Sequence, residues 1–222
     1  MLIASLMAMV LLINLGLWQW GRGDEKQQMN LAAESALEAP PVVSRNITAL
    51  DEYTKVQIDP ESVSDKHFLL DNQVSQQRPG FLVLMPLQYQ GKWYLVDRGW
   101  VPMMADRSIK TPLEPQEFAM FEALVNRPSK GFLLGDATAD QLNTGWPKVV
   151  QTYDFEALSK ALEVDLQPIV LRPVKEYLWT FERIWKPTGG EPSKHYAYAM
   201  QWFGFATALL GMVLFFGLKR NR

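Results

Sequence analysis

Residues 196–218, YAYAMQWFGFATALLGMVLFFGL, decide the architecture of this chain, because they carry no charged side chain and are long enough to cross a bilayer. His195 stands directly before this run, and Lys219 and Arg220 stand directly after it. A second uncharged run, residues 2–20, lies at the other end of the chain. The sequence therefore predicts a membrane protein with two transmembrane helices.

The first apolar run has the features of an anchor that is not cleaved. No Lys or Arg precedes Arg22, although a signal peptide begins with a basic region. Residues 17–20, LWQW, are bulky where a cleavage site requires small side chains. Trp18 and Trp20 match the aromatic belt at a membrane surface. We therefore expect this run to remain as the first transmembrane helix.

The basic residues at the end of the chain predict its orientation. Lys219, Arg220 and Arg222 follow the second apolar run at once, which places the C-terminus in the cytoplasm by the positive-inside rule. Two membrane crossings put both termini on the same side. We expect a multi-pass protein of a bacterial inner (plasma) membrane, with cytoplasmic termini and a periplasmic central domain.

Six segments follow from this pattern. They are a first transmembrane helix over 2–20, a polar linker and helix over 21–46, an extracytoplasmic α+β domain over 47–188, a linker over 189–195, a second transmembrane helix over 196–218, and a basic tail over 219–222. The chain has no cysteine and a net charge of −2. The central part is long enough to bury a core without disulfides, and a thiol nucleophile or thiolate metal site is excluded.

The central domain is predicted to contain a mainly antiparallel sheet. Residues 81–87 and 93–97 are β-rich runs, and Gly91 between them suits a hairpin turn. Residues 154–162 predict a helix, with Asp154 as its N-cap. Further strands are expected over 67–71, 118–125 and 168–171. Strands around a few helices indicate an α+β fold.

Three motifs occur in a fixed order between and at the apolar runs: GLWQWGR at 16–22, LVDRGWVP at 95–102 and HYAYAMQWF at 195–203. Together they resemble the surfeit locus protein 1 family of cytochrome c oxidase assembly factors. The motif positions are Trp18, Gln19, Arg98, Gly99, Trp100, Tyr198, Gln201 and Trp202. One departure is Asp97, where the family usually has Asn, so the role of this position is open.

The resemblance implies an assembly factor rather than an enzyme. Such proteins help to mature subunit I of a haem–copper oxidase, and some members are thought to bind haem A and pass it on. The expected partners are therefore subunit I, haem A synthase and the lipid bilayer, with no nucleic acid. The expected cofactor is haem A, held transiently, and no metal site other than the haem iron is expected.

The same resemblance points to His195 as the haem ligand. The chain has no cysteine, and its only other histidine is His67, which lies in a strand-like run and is expected to be structural. Trp202 shares a helix face with His195 and could stack on the macrocycle. Arg22 and Arg98 are the candidates for binding the propionates through bidentate contacts.

Two faces of the second apolar helix have different predicted uses. The face of His195, Ala199, Trp202 and Ala206 is expected to stay available, because its alanines leave room for a flat macrocycle. The opposite face carries small residues that allow close helix packing. It is expected to pack on the first helix or on an oxidase helix, and it comprises Ala197, Gly204, Ala208 and Gly211.

Several alternatives stay open at this point. His195, Trp18, Trp20 and Trp202 are also typical of residues at the headgroup level, and Gln19 and Gln201 of bonds between helices. A scaffold that holds subunit I without haem has the same motifs. Residues 97–99 could be an ordinary salt-bridged strand end with a bulge. Copper delivery is disfavoured because no histidine accompanies the adjacent methionines 103 and 104. A tethered hydrolase lacks the usual motifs, and a sensor lacks an output module.

Overall fold

The computed structural model describes residues 2–114, 119–130, 145–187 and 190–220. They form two compact units. The helical unit comprises Met1–Ser35 and Pro187–Arg222, and the domain comprises Ala36–Lys186. The elements in chain order are α1 (Leu2–Glu38), a 3-10 turn (Ile47–Ala49), β1 (Lys55–Ile58), β2 (Ser62–Val63), β3 (Phe68–Ser75), β4 (Arg78–Tyr89), β5 (Lys92–Pro102), β6 (Phe121–Asn126), β7 (Lys148–Val150), α2 (Phe155–Leu162), β8 (Leu166–Pro173) and α3 (Pro192–Arg220).

Helix α1 joins the first apolar run and the predicted polar helix into one element. Its 37 residues extend about 55 Å, which exceeds the roughly 30 Å of a hydrocarbon core. It ends at Glu38, just before Pro40, which cannot continue a helix. Ile3–Glu38 and Pro192–Gly217 are both long and apolar enough to cross a membrane. The chain is therefore a membrane-associated protein.

The two long helices run antiparallel in the helical unit. The less exposed side chains of α1 recur at heptad spacing, and the side chains of α3 that meet them recur likewise. Gly16 faces Phe203, and Gly23 faces Tyr196. The later residue of α1 therefore meets the earlier residue of α3, as antiparallel helices require. A β-carbon at Gly16 would lie 2.4 Å from the Phe203 ring. Glycine therefore permits the close approach of the two helices.

The predicted packing face of the second helix is wrong with respect to the first helix. Ala197 and Ala208 are exposed, and a β-carbon at Gly204 or Gly211 would contact none of the described residues within 4 Å, apart from the backbone of its own helix. The face that packs on α1 is the His195 face, whose Ala199 is fully buried. Both faces carry small residues one heptad apart, so their spacing alone did not distinguish them. The glycines of α1 select the His195 face.

The domain contains a mixed, mainly antiparallel sheet, which confirms the predicted α+β class. Its strand order is β1-β6-β8-β5-β4-β3-β7, and β2 pairs with β4. Two parallel pairs, β5 with β8 and β3 with β7, lie within it. The long β4–β5 hairpin is the centre of the sheet and turns at Gln90 and Gly91, both at positive φ. This hairpin was predicted from the same turn.

Both faces of the central hairpin are buried. Leu87 and Tyr94 belong to one apolar cluster with Phe121 and Trp179. Leu84 and Leu95 point to the other side, where α2 packs through Leu158 and other residues. Asp154 caps α2 as predicted, accepting a hydrogen bond from the Ala157 N–H at 3.3 Å. The strand and helix pattern thus places β5 in the middle of the core.

Several elements differ from the sequence-based expectation. Strand β3 extends to Ser75 and turns into β4 through Gln76 and Gln77, which both adopt positive φ. Positive φ is uncommon outside glycine, asparagine and aspartate, so this second hairpin had no turn signal. Strand β6 begins at Phe121, and residue 118 of the predicted strand 118–125 lies outside the described residues.

Candidate functional site

The motif at residues 97–100 lies in the middle of β5, not at a strand end. Asp97 pairs with Leu84 and Gly99 pairs with Val83, so Arg98 is the extra residue of a β-bulge. Gly99 adopts a φ of +108° that favours glycine, and a β-carbon there would lie 2.7 Å from the Phe181 carbonyl carbon. The bulge proposed from the sequence is present. It directs the side chains of Asp97 and Arg98 into two separate buried hydrogen-bond networks.

The first network is built on an ion pair between Asp97 and Arg172, both almost fully buried. The other Asp97 oxygen accepts the Gly99 N–H at 2.9 Å. Arg172 also donates to the Asn126 side-chain oxygen at 3.1 Å and to the Tyr153 hydroxyl at 2.9 Å. A buried charge pair is stable only when its remaining hydrogen-bonding groups are satisfied, and these contacts supply that. The carboxylate of Asp97 therefore neutralises Arg172.

The second network joins Arg98 to His67. Arg98, 2 % exposed, donates from Nη1 to His67 Nε2 at 2.9 Å and from Nε to the Trp179 carbonyl at 2.9 Å. It also donates to the Leu113 carbonyl, and its guanidinium lies 4.7 Å from the centre of the Phe181 ring. The cavity beside Arg98 and Arg172 holds about 10 Å³, close to the space of one water. Arg98 therefore does not fit the predicted contact with haem propionates.

His67 is held neutral by its surroundings. Burial, and next the charge of Arg98, lower the pKa of His67 to about 4. Because Arg98 donates to Nε2, the ring proton lies on Nδ1, which donates to the Asp65 carbonyl at 2.7 Å. Burial also lowers the pKa of Arg98 to about 10. Both ring nitrogens of His67 are thus engaged, in agreement with its expected structural use.

The motif also fixes the chain segment that follows β8. We call residues 177–185 the connector. The Phe181 N–H donates to the Arg98 carbonyl at 2.5 Å, and the Trp100 N–H donates to the Glu182 carbonyl at 2.7 Å. The Arg172 guanidinium lies 4.9 Å from the centre of the Trp185 ring. The motif on β5 therefore binds the connector through backbone and ring contacts.

The helical unit brings the first and third motifs together. His195 lies in the first turn of α3, which begins at Pro192. Its Nδ1 is 2.9 Å from Gln19 Oε1 on α1. The next residue, Tyr196, donates from its hydroxyl to Asp24 at 2.7 Å, with Gln27 Oε1 also 2.9 Å away. No described residue hydrogen-bonds Nε2 of His195.

The other predicted site residues are more widely distributed. Trp202 is partly buried and packs edge-on against Phe205 at 5.9 Å. Trp18, Tyr198 and Gln201 are exposed. Arg22 is half-exposed and forms an ion pair with Glu25 at 2.5 Å. Because α1 covers Ala199 and Ala206, the space predicted beside them for a macrocycle is filled.

Comparison with known proteins identifies the set of motifs. The SURF1 family matches residues 6–207. The chain belongs to the SURF1 family. The chain is 24% identical to a SURF1-like protein of Rickettsia bellii over 92% of its own length and 86% of that protein. A SURF1-like protein of Rickettsia felis is 23% identical, with 97% and 95% covered. A third, from Rickettsia conorii, is 23% identical, with 90% and 84% covered.

SURF1 proteins are in general cytochrome oxidase assembly factors, and this chain shares that broad function. The match spans all three motifs. Within the described residues, no three His, Cys, Asp or Glu side chains are grouped in a way that could hold a metal ion. The polar sites described in this SURF1 chain are therefore His195 in the helical unit and the two buried networks of Asp97 and Arg98 in the domain.

Sequence reasoning missed most partners of the buried networks. Arg172 ends the apolar run 168–171, and a cation at the end of a buried strand was the one available signal. Asn126, Tyr153 and Trp185 come from three other segments, and nothing local marks them. A hydrogen bond between helices was among the expectations for Gln19, but His195 was not identified as its partner.

Proposed function

We propose that this chain assists the assembly of a haem–copper oxidase by holding haem A for transfer to subunit I, with His195 as the axial ligand. One observation carries the proposal: of the two histidines, His67 uses both ring nitrogens inside the domain, whereas His195 Nε2 is without a partner among the described residues. An imidazole nitrogen is a common axial ligand of haem iron.

The surroundings of His195 suit this use only in part. The imidazole is held by a side chain of α1, and Trp202 lies seven residues further along α3. Arg22 is the remaining candidate for the propionates, because Arg98 is buried. When bound, haem A would supply the iron centre destined for the oxidase. The chain itself would bind and orient this group without chemical change, so no enzymatic activity is proposed.

The proposed membrane arrangement follows from the two apolar helices. Lys219, Arg220 and Arg222 favour cytoplasmic termini for a two-span protein of the bacterial inner membrane, and the domain would then be periplasmic. In this arrangement the domain would meet the proposed partners, haem A synthase and subunit I, at the periplasmic side of the membrane. Fusions of a reporter enzyme that is active only in the periplasm test this arrangement. The fusion after Lys186 should be active, and the fusion after Arg222 should be inactive.

The haem assignment is tested by Soret absorbance of the chain purified in detergent from cells that make haem A. We expect a Soret band in the wild type that is lost or shifted in His195→Ala. Lys194→Ala is the matched control, because Lys194 is adjacent and exposed and pairs only with Glu191 among the ion pairs of the described residues. An unchanged band in His195→Ala would contradict the ligand assignment.

A scaffold for subunit I is the second candidate function. It is favoured by the exposed small-residue face of α3, where a β-carbon at Gly204 or Gly211 would contact no described residue of another element within 4 Å. Such a surface suits close packing of another membrane helix. Absence of a Soret band in the wild type, with subunit I still co-purifying and lost in Gly204→Leu, would favour this function over haem binding.

A further inference from the structure

The contact between Gln19 and His195 has a consequence for the protonation of the imidazole. Gln19 presents its side-chain oxygen to Nδ1 at 2.9 Å. An amide oxygen can only accept, so Nδ1 carries the proton and Nε2 carries the lone pair. The neutral imidazole therefore has its ligating electron pair on the nitrogen that has no partner among the described residues.

We propose that Gln19 is the positioning residue of His195: it fixes the Nδ1–H tautomer and the ring orientation, so that Nε2 is presented for metal coordination. This inference rests on the proposed function in one respect, the identity of the metal as haem iron. Histidine ligands of metals generally donate their other ring N–H to a fixed acceptor, and loss of that acceptor weakens binding.

The position of Gln19 in the helix pair supports this assignment. Gln19 lies on the α1 face that packs on α3, between Gly16 and Gly23, the two glycines in contact with α3. These glycines set the close approach of the helices at the level of the histidine. The contact between Gln19 and Nδ1 of His195 therefore depends on this close approach, and a larger distance between the helices would break it.

The chain contains a matched control for this contact. Gln27 lies two helical turns further along α1, and its oxygen is 2.9 Å from the hydroxyl of Tyr196, the residue next to His195. Gln27→Leu removes an amide of the same kind from the same helix pair but leaves the imidazole untouched. A purely structural contribution of these glutamines would give Gln19→Leu and Gln27→Leu the same phenotype.

The first test reads the tautomer directly and needs no haem. The chain, with ¹⁵N-labelled histidine, is studied in detergent micelles at about pH 8, above the ordinary histidine pKa of about 6.5. Only two histidines contribute signals, and His195→Ala assigns them. We expect Nδ1–H for His195 in the wild type and in Gln27→Leu, and a shift towards Nε2–H in Gln19→Leu. His67, held as Nδ1–H by Arg98, is the internal reference.

The second test measures haem retention by Soret absorbance in the same variants. We expect Gln19→Leu to retain haem roughly 10–100-fold more weakly, Gln27→Leu to match the wild type, and Gln19→Glu to restore retention because a carboxylate also accepts from Nδ1. A proton on Nε2 of His195 in the wild type, or an unchanged tautomer in Gln19→Leu, would overturn the positioning proposal.

The two tests separate the two proposals. A wild type with the Nδ1–H tautomer but no Soret band would contradict haem binding and leave the positioning by Gln19 intact. A wild-type Soret band that is equally strong in Gln19→Leu would contradict the positioning and leave haem binding intact.

Discussion

The two histidines of this chain occupy opposite situations. His67 and His195 each place Nδ1 against an oxygen, the Asp65 carbonyl in one case and the Gln19 amide in the other. They differ at Nε2: that of His67 accepts from the buried Arg98, whereas that of His195 meets no hydrogen-bond donor among the described residues. With the same tautomer, Nε2 is therefore hydrogen-bonded in the domain but has no donor among the described residues in the helical unit.

This difference separates two uses of the motif residues. The residues around β5 are buried and satisfied, and they bind the connector, so we expect their loss to lower the stability of the domain. The helix-pair residues are partly exposed, so we expect their loss to change binding more than stability. Comparisons between two variants, or between a variant and the wild type, challenge this division, and their expected effects run from the largest to the smallest.

Asp97→Ala should have the largest effect on stability. It leaves the buried Arg172 without its counter-charge, which typically costs about 3–5 kcal/mol in the free energy of unfolding. Asp97→Asn, the residue usual in the family, should cost less because its oxygen can still accept the Gly99 N–H. Urea unfolding of the detergent-solubilised chain, followed by tryptophan fluorescence, measures both. Equal stability of the wild type and Asp97→Ala would show that the network contributes little.

Gly99→Ala should destabilise the domain by roughly 2–4 kcal/mol. The new β-carbon is strained at positive φ and would meet the Phe181 and Glu182 backbone within 2.8 Å. Gly91→Ala is the control, since Gly91 also has positive φ but a β-carbon there would contact no described residue beyond its chain neighbours within 4 Å, so we expect a loss of only about 1 kcal/mol. The same unfolding measurement compares them. Similar losses for the two variants would contradict close packing of the connector on Gly99.

The pH dependence of stability should reveal His67. Its pKa falls from the ordinary 6.5 to about 4 on folding, so the unfolded chain binds a proton more readily between these values. Stability should therefore decline as the pH falls from about 6.5 to 4. His67→Gln can still accept from Arg98 but does not titrate, and it should remove roughly 2–3 kcal/mol of this decline. Parallel curves of stability against pH for the wild type and the variant would show that folding does not lower the pKa of His67.

Gly16→Leu should weaken the helix pair by roughly 1–2 kcal/mol, because its side chain would overlap the Phe203 ring. Gly204→Leu should change the pairing by less than about 0.5 kcal/mol, since a β-carbon at Gly204 would contact no described residue of another element within 4 Å. The chain has no cysteine, so cysteines placed at Trp20 and Tyr196 can report the pairing by cross-linking. A lower cross-linking yield in Gly204→Leu than in Gly16→Leu would reverse the assignment of the helix faces.

The parts of the fold that sequence predicted were those with local signals. Gly91 marked the central hairpin, and Asp154 marked the start of α2. Gln76 and Gln77 gave no such signal, because their positive φ is imposed by the strands that they join. The choice between the two small-residue faces of α3 depended on Gly16 and Gly23, which lie far away in sequence.

The candidate site shows the same limit. His195 was identified because ionisable groups near membrane spans are costly, and Gln19 because a polar residue near a span end can bond between helices, but their pairing is a tertiary contact. Arg98 was assigned to the haem propionates because it directly follows the predicted strand 93–97. The bulge at Gly99 turns Arg98 inward instead. There the buried guanidinium donates to three hydrogen-bond acceptors, so it is not available to a cofactor.

The most direct test of the division between the two sites is the haem content of the oxidase in cells, divided by the amount of this chain. Membranes from cells carrying only His195→Ala or only Asp97→Ala are compared by haem A absorbance and by immunoblot of the chain. We predict that His195→Ala keeps a normal amount of chain but loses oxidase haem, whereas Asp97→Ala lowers both in proportion. A normal amount of oxidase haem per molecule of this chain in His195→Ala would contradict the assignment of His195 to haem delivery.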